Sequence, residues 1–290
     1  MTTAPASPAD ADNAHKTIEN GFWRRFWAVF LIATLGVGMI IDRTSFVPTP
    51  NHAKVFQNAE AAGLDAGVPD GTQFWNPETG RLSTAIADLS NMALLIGDSQ
   101  SGGAVGVRGD QTWTQLALSS LGYKVAFYGR GGTGFVASTS RAMNYRDSLE
   151  RSAWALPYGK NPRKPGPLIV VQGGGNDATQ RASDEAILTN ARELIADLRA
   201  DFPKSHIVMI GTLAKSSEAG GGRRNAINGL LAKFAEKEQV PFISVGDWIS
   251  RYQLTGQLAD GVHLTAAGHR ALVEPLRQEF EALGVTGPKN

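Results

Sequence analysis

From about residue 91 the chain alternates short apolar runs with longer amphipathic stretches. The runs are Met92–Ile96, Val125–Tyr128, Leu168–Val171, Ile207–Ile210 and Phe242–Val245, each bounded by glycine, proline or polar residues, and each has the length and continuity of a strand buried on both faces. Helices are predicted between and after them, over 111–121, 143–156, 183–202, 223–239 and 266–283. In the clearest, 183–202, Ile187, Ala191, Leu194, Ile195 and Leu198 recur at helical spacing while Asp184, Arg192, Glu193, Asp197 and Arg199 occupy the rest of the wheel. Strands alternating with helices imply a parallel sheet covered on both faces. Functional groups in such sheets collect in the loops that follow the carboxyl ends of the strands.

The N-terminal part follows a different pattern. Residues 1–21 are rich in Ala, Pro, Asp, Asn and Thr without apolar periodicity, and are expected to be a disordered tail. Residues 22–41 read FWRRFWAVFLIATLGVGMII, charged only at Arg24 and Arg25. Twenty helical residues span about 30 Å, one hydrocarbon core, with the two arginines snorkelling and Trp23 and Trp27 at the interface. A cleaved signal peptide is the rival reading, but no small-x-small site closes the run, which favours an uncleaved signal anchor. Lys16, Arg24 and Arg25 outweigh Arg43 and Lys54 across the segment, which places the tail in the cytoplasm and the rest of the chain outside it. Residues 42–90 carry scattered Pro and Gly with no sustained period, and read as a spacer that packs on the following domain through Phe74, Trp75 and 82–89.

Composition narrows the chemistry. Lys+Arg 28 against Asp+Glu 27 leaves a net charge of +1 over 290 residues, so no field draws the chain to nucleic acid, and no nucleic-acid partner is expected. The absence of cysteine excludes disulfides, thiolate metal sites and a thiol nucleophile. Oxygen nucleophiles, carboxylates and five histidines remain. None of these is spaced as a metal cluster, so neither a metal nor a cofactor is expected.

Four loops carry candidate chemistry. The first strand ends in LLIGDSQSGG, which sets Ser99 just past a strand, beside Asp98; Gly-Asp-Ser alone is common, and taken singly a serine there reads as a plain turn residue. The second leads into YGRGGTGF and the third into VVQGGGNDATQ, where three glycines precede Asn176 and let a ligand approach closely. Near the C-terminus, LADGVHLTAAGH puts Asp260 three residues before His263, close enough for the carboxylate to fix the imidazole's tautomer. Gly129, Gly131 and Gly134 also fit a dinucleotide-binding fingerprint, with Asp147 as a ribose partner, but that reading leaves Ser99, Asn176 and the Asp260–His263 pair without a role. Asp98 and Asp177 are expected to order their own loops, and His206 and His269 to be packing or surface residues. The glycine-rich stretch 214–224 is read as a substrate-side loop or a plain surface loop.

In order and spacing these pieces resemble the four signature blocks of the SGNH (GDSL-type) hydrolases, from about residue 91 to the end of the chain. The resemblance implies a flavodoxin-like three-layer α/β/α sandwich with a five-stranded parallel sheet, here expected to follow an N-terminal transmembrane helix. It implies Ser99 as nucleophile, His263 as base and then acid, and Asp260 as the residue that orients His263. The implied oxyanion donors are the backbone N–H groups of Ser99 and Gly132 and the side chain of Asn176, with Gly131 or Gly134 as alternatives to Gly132. Gln100 stands where the strict GDSL lipases have leucine, which puts lipase specificity in doubt. The expected activity is that of a membrane-anchored, extracytoplasmic serine esterase acting on an acylated envelope glycan, lipid or glycolipid. Acyl transfer to a sugar or lipid hydroxyl, and an inactive binding protein on the same fold, are the alternatives.

Overall fold

The computed structural model describes residues 73–76, 81–84, 89–152, 166–216 and 221–288, the first two segments and 150–152 as backbone only. The expected membrane segment 22–41 and the tail before it lie outside the described residues. Among the described residues, no helix is long and apolar enough to cross a membrane.

The region expected to be a spacer contains a strand pair. β1 (Gln73–Asn76) and β2 (Arg81–Thr84) run antiparallel, Gln73 opposite Thr84 and Asn76 opposite Arg81. Strands this short carry too few residues to show a period, and the turn signals Pro77 and Gly80 between them do not stand out from the Pro and Gly scattered through the rest of the region.

The five expected strands form one parallel sheet. They are β3 (Met92–Gly97), β4 (Lys124–Gly129), β5 (Leu168–Gln172), β6 (His206–Ile210) and β7 (Phe242–Ile243), in the order β4-β3-β5-β6-β7. The chain steps from β3 to one side and then returns to β5 on the other, which is the flavodoxin-like order. Its switch point lies between the carboxyl ends of β3 and β5, where Ser99 and Asn176 follow their strands.

The apolar runs are continuous because successive residues serve opposite faces. Leu94, Ile96, Ile169, Val171 and Met209 pack with Ile187, Leu194 and Leu198 of α5 (Asp184–Asp201) and with Ile227 and Leu231 of α6 (Gly222–Lys237). Ala93, Leu95, Val170, Val208 and Ile210 face the other way. They meet Trp113 and Leu118 of α2 (Trp113–Ser120), Trp248 of α7 (Trp248–Arg251), and Leu276 and Phe280 of α9 (Val273–Ala282). Between Ser120 and Tyr145 the only regular element among the described residues is β4; α3 (Tyr145–Ser152) comes after the long glycine-bearing loop. A dinucleotide fingerprint requires a helix opening on its glycines, so this loop does not fit one.

Candidate active site

Each functional side chain is placed by a loop leaving the carboxyl end of a strand or entering a helix. After β3 the chain turns into the single-turn helix α1 (Ser99–Gly102), capped by Asp98, whose carboxylate accepts the Gln100 N–H at 2.8 Å. At the other end of the domain, Thr265 caps α8 (Ala266–Ala271) by accepting the Gly268 N–H. The turn before it is closed by the Ala259 N–H donating to the His263 carbonyl and by a Leu258–Leu264 bridge.

These two turns bring together residues 164 apart in sequence. Ser99 Oγ lies 2.8 Å from His263 Nε2, and His263 Nδ1 lies 2.7 Å from Asp260 Oδ2. A carboxylate only accepts, so Nδ1 carries the proton and Nε2 is left to accept from the serine hydroxyl. Asp260 Oδ1 also accepts the N–H groups of His263 at 2.8 Å and Val262 at 3.0 Å. Those backbone donors, and then the imidazole, hold the Asp260 carboxyl well below the usual carboxylate range.

Gln100, the departure from the GDSL pattern, sends its side-chain amide N–H to the Val262 carbonyl at 2.9 Å. One side chain thus ties the nucleophile's turn to the histidine's turn. Leucine could make no such bond.

The remaining site residues gather on the same side. Asn176, in α4 (Gly175–Thr179), donates from Nδ2 to the Thr133 carbonyl at 2.9 Å and to Asp98 Oδ2 at 3.2 Å. Both amide protons are therefore engaged, and both partners are acceptors, which fixes the amide's orientation. Burial pushes the Asp98 carboxyl up to about 6, against the Gln100 N–H and the Arg224 charge, which favour its ionised form. Asp98 therefore orders more than its own loop.

Asp177 orders a different loop from its own. Its carboxylate accepts three successive backbone N–H groups, from Phe135 at 3.0 Å and from Val136 and Ala137 at 2.8 Å each. Gly134 is needed for that approach, since a Cβ there would stand 2.3 Å from Asp177 Oδ2.

This clamp fixes the loop holding the glycine candidates. The Gly134 N–H is spent on the Ala137 carbonyl, which removes that alternative. Gly131 and Gly132 remain: a Cβ on Gly131 would sit 3.4 Å from Ser99 Cβ, whereas one on Gly132 would meet Thr139 instead.

Beside the serine is a cavity of about 200 Å³ whose walls include Asp98, Ser99, Asn176, Thr179, Arg224 and His263. Arg224 is absent from the sequence-based set of site residues. Its only signal is a position at the end of the glycine-rich stretch, next to an identical residue, and nothing local distinguishes the two arginines. Arg223 pairs with Asp184 at 2.6 Å and the Ala182 carbonyl at 2.8 Å, whereas Arg224 turns into the cavity.

His269 is a packing residue, as expected: it is buried, accepts the Trp113 N–H on Nδ1, and is held down to about 4 by burial and the nearby His263 charge. His206 begins β6 and is exposed. Among the described residues, no group of three or more His, Asp or Glu side chains is placed to hold a metal ion.

Comparison with known proteins identifies the family and the fold. The sequence profile of the GDSL-like Lipase/Acylhydrolase family matches residues 95–271, more than half of the chain. No curated protein sequence matches it. Among solved structures, a lipolytic protein of the G-D-S-L family from Veillonella parvula is 18% identical at a TM-score of 0.50, over 66% of this chain and 98% of its own. A family two carbohydrate esterase from Clostridium thermocellum, solved with cellohexaose, is 17% identical at 0.52, over 71% and 69%. A catalytic mutant of an acetylxylan esterase from Geobacillus stearothermophilus is 16% identical at 0.50, over 66% and 94%. At these identities the structural likeness speaks for the fold, and the profile match for the family. The chain belongs to the GDSL-like lipase/acylhydrolases, the SGNH ester hydrolases.

Proposed function

We propose that the protein hydrolyses a carboxylic ester through an acyl-Ser99 intermediate. The observation that carries this reading is the unbroken chain from Ser99 Oγ to His263 Nε2 and from His263 Nδ1 to Asp260. Serine is a weak nucleophile until a base takes its proton. His263 accepts that proton as Oγ bonds to the ester carbonyl carbon, and returns it to the departing alcohol as the C–O bond breaks. A water then attacks the acyl-serine, gives a proton to His263, and releases the acid and the free hydroxyl of Ser99. Asp260 keeps the imidazole in the tautomer both halves require and faces the imidazolium formed between them.

The oxyanion would be met by the backbone N–H of Ser99, that of Gly131 or Gly132, and the Asn176 amide, each worth about 3–4 kcal/mol in comparable sites. The Thr133 carbonyl steadies that amide, and the longer bond to Asp98 is the one an oxyanion competes with. The cavity's size suits a short acyl group. Residues 22–41 would anchor the chain, with the catalytic domain outside the cytoplasm. That location favours an acylated envelope glycan, lipid or glycolipid as substrate, and carbohydrate esterases among the structural neighbours support a glycan.

The test is turnover of p-nitrophenyl acetate and butyrate together with labelling by a fluorophosphonate probe. Ser99→Ala should lose labelling and lower kcat by about 10⁴-fold or more, and Asn176→Ala should lose roughly 10²-fold in kcat while still labelling. Turnover surviving in Ser99→Ala would overturn the nucleophile. Product diverted to an added alcohol or sugar would mark a transferase. A reporter fused after Asn290 that works only in the cytoplasm would reverse the orientation.

A further inference from the structure

Arg224 is a half-buried guanidinium in the wall of the catalytic cavity, and it has no hydrogen-bond or ion-pair partner among the described residues. Glycine makes its position available: a Cβ on Gly175 would stand 2.5 Å from Arg224 Nη1. Two carboxylates, Asp98 and Asp260, favour its charge against the cost of burial. Neither is committed to it. Asp98 is occupied by the Gln100 N–H and the Asn176 amide, and Asp260 by two backbone N–H groups and His263. The guanidinium therefore lines the ligand space with its charge supported but no partner supplied.

A second cation stands on the same side. Lys215 is exposed, and its Nζ would lie 3.5 Å from a Cβ on Gly261, directly over the turn between Asp260 and His263. Both cations belong to the segment that follows β6 and enters α6. The chain as a whole is nearly neutral, at +1, so the placing of two cations here is not the by-product of a basic protein.

We propose that Arg224, with Lys215 at the rim, makes the pocket select esters that carry a second, anionic group, a carboxylate or phosphate, near the scissile bond. The proposal rests on the esterase reading and names the substrate class it serves. The chemical reason is asymmetric discrimination: a neutral ester leaves a partly desolvated guanidinium unpaired, while an anionic one receives two parallel charge-assisted bonds.

The full chain is assayed on two matched pairs. p-Nitrophenyl hemisuccinate against its methyl ester places the anion on the acyl side, and p-acetoxybenzoate against its methyl ester places it on the alcohol side. In one pair the anionic member should have the higher kcat/KM by about tenfold or more. Arg224→Met should collapse that ratio towards one, Arg224→Lys should keep part of it, and Lys215→Ala should reduce it less than Arg224→Met. Ratios near one in both pairs, or an Arg224→Met that lowers both members equally, would overturn the proposal. Failure of the esterase reading shows separately, as neutral esters not turned over in a Ser99-dependent way. In that event thermal shift decides: succinate or inorganic phosphate should stabilise Ser99→Ala but not Ser99→Ala/Arg224→Met, and no shift in either counts against the anion site.

Discussion

Among single residues, Asp98 and His269 are buried titratable groups whose pKa values move in opposite directions. Asp98 rises from an ordinary 3.8 to about 6, so between those values the folded chain holds a proton that the unfolded chain releases. Its contribution to stability therefore falls as pH rises through that window. His269 drops from 6.5 to about 4, so the unfolded chain binds the extra proton and stability is lost as pH falls through the same interval. The two slopes oppose each other across about pH 4 to 6, while Asp260, held low, adds its own loss only below about pH 4. Substitutions that keep the backbone hydrogen bond at each site separate the two groups, although Asp98→Asn turns an amide N–H towards Asn176 Nδ2 and so loses that bond at a cost that does not vary with pH. In Asp98→Asn the new amide oxygen can still accept the Gln100 N–H, and in His269→Gln the new amide oxygen can still accept the Trp113 N–H. In Asp98→Asn, urea stability should climb with pH from about 4 to 6.5 more steeply than in the wild type, by up to about 1.4 kcal/mol per pH unit. In His269→Gln it should fall from about pH 4 to 6. Parallel curves for the two variants would show that these groups are not what sets the acid profile.

Among the elements, the loop after β4 depends on one carboxylate. Three neighbouring N–H groups converge on Asp177, and charge-assisted bonds of this kind are worth about 1.5–3 kcal/mol each. Asp177→Ala should cost at least about 3 kcal/mol in urea unfolding and lower kcat, because Gly131 and Gly132 share that loop. Fluorophosphonate labelling of Ser99 should persist in the protein that remains folded. Arg146 makes a useful contrast: it joins α3 to α5 through Glu193 and Asp197 at 2.6 Å each, but at a solvated surface, so Arg146→Ala should cost no more than about 1 kcal/mol per pair. An Asp177→Ala cost as small as that of Arg146→Ala would mean the clamp does not hold the loop. The strands and the longer helices were legible because burial imposes an apolar pattern on them, although the stretch 266–283, expected as one helix, is divided at Leu272 into α8 and α9; Ser99, Asn176, Asp260 and His263 were legible because each lies in a short local motif. The reach of Asp177 across 40 residues and the inward turn of Arg224 were not. Both are set by how the parallel sheet juxtaposes loops that are distant in sequence, and a single side chain leaves no periodic trace of such a contact.

Across the molecule, the site is supported from one of the two cores. Trp113 and Trp248 pack edge to face in that core, with ring centroids 5.6 Å apart, and both are fully buried. They differ in what the indole N–H meets. Trp113 Nε1 donates to the Gln100 carbonyl at 3.1 Å, directly behind the nucleophile's turn, while Trp248 Nε1 is buried without a partner. Replacing either by phenylalanine removes a comparable volume from the same core, so the difference between the variants isolates the polar atom. Trp113→Phe leaves the buried Gln100 carbonyl without its donor, at about 1–3 kcal/mol, and loosens the residue that follows Ser99. Trp248→Phe removes an unpaired buried N–H and so offsets part of its packing loss. In urea unfolding Trp113→Phe should therefore be the less stable variant, and in p-nitrophenyl acetate turnover it should be the one with the lower kcat. Equal stability and equal kcat in the two variants would show that the core carries the nucleophile's turn by packing alone, with no share for this hydrogen bond.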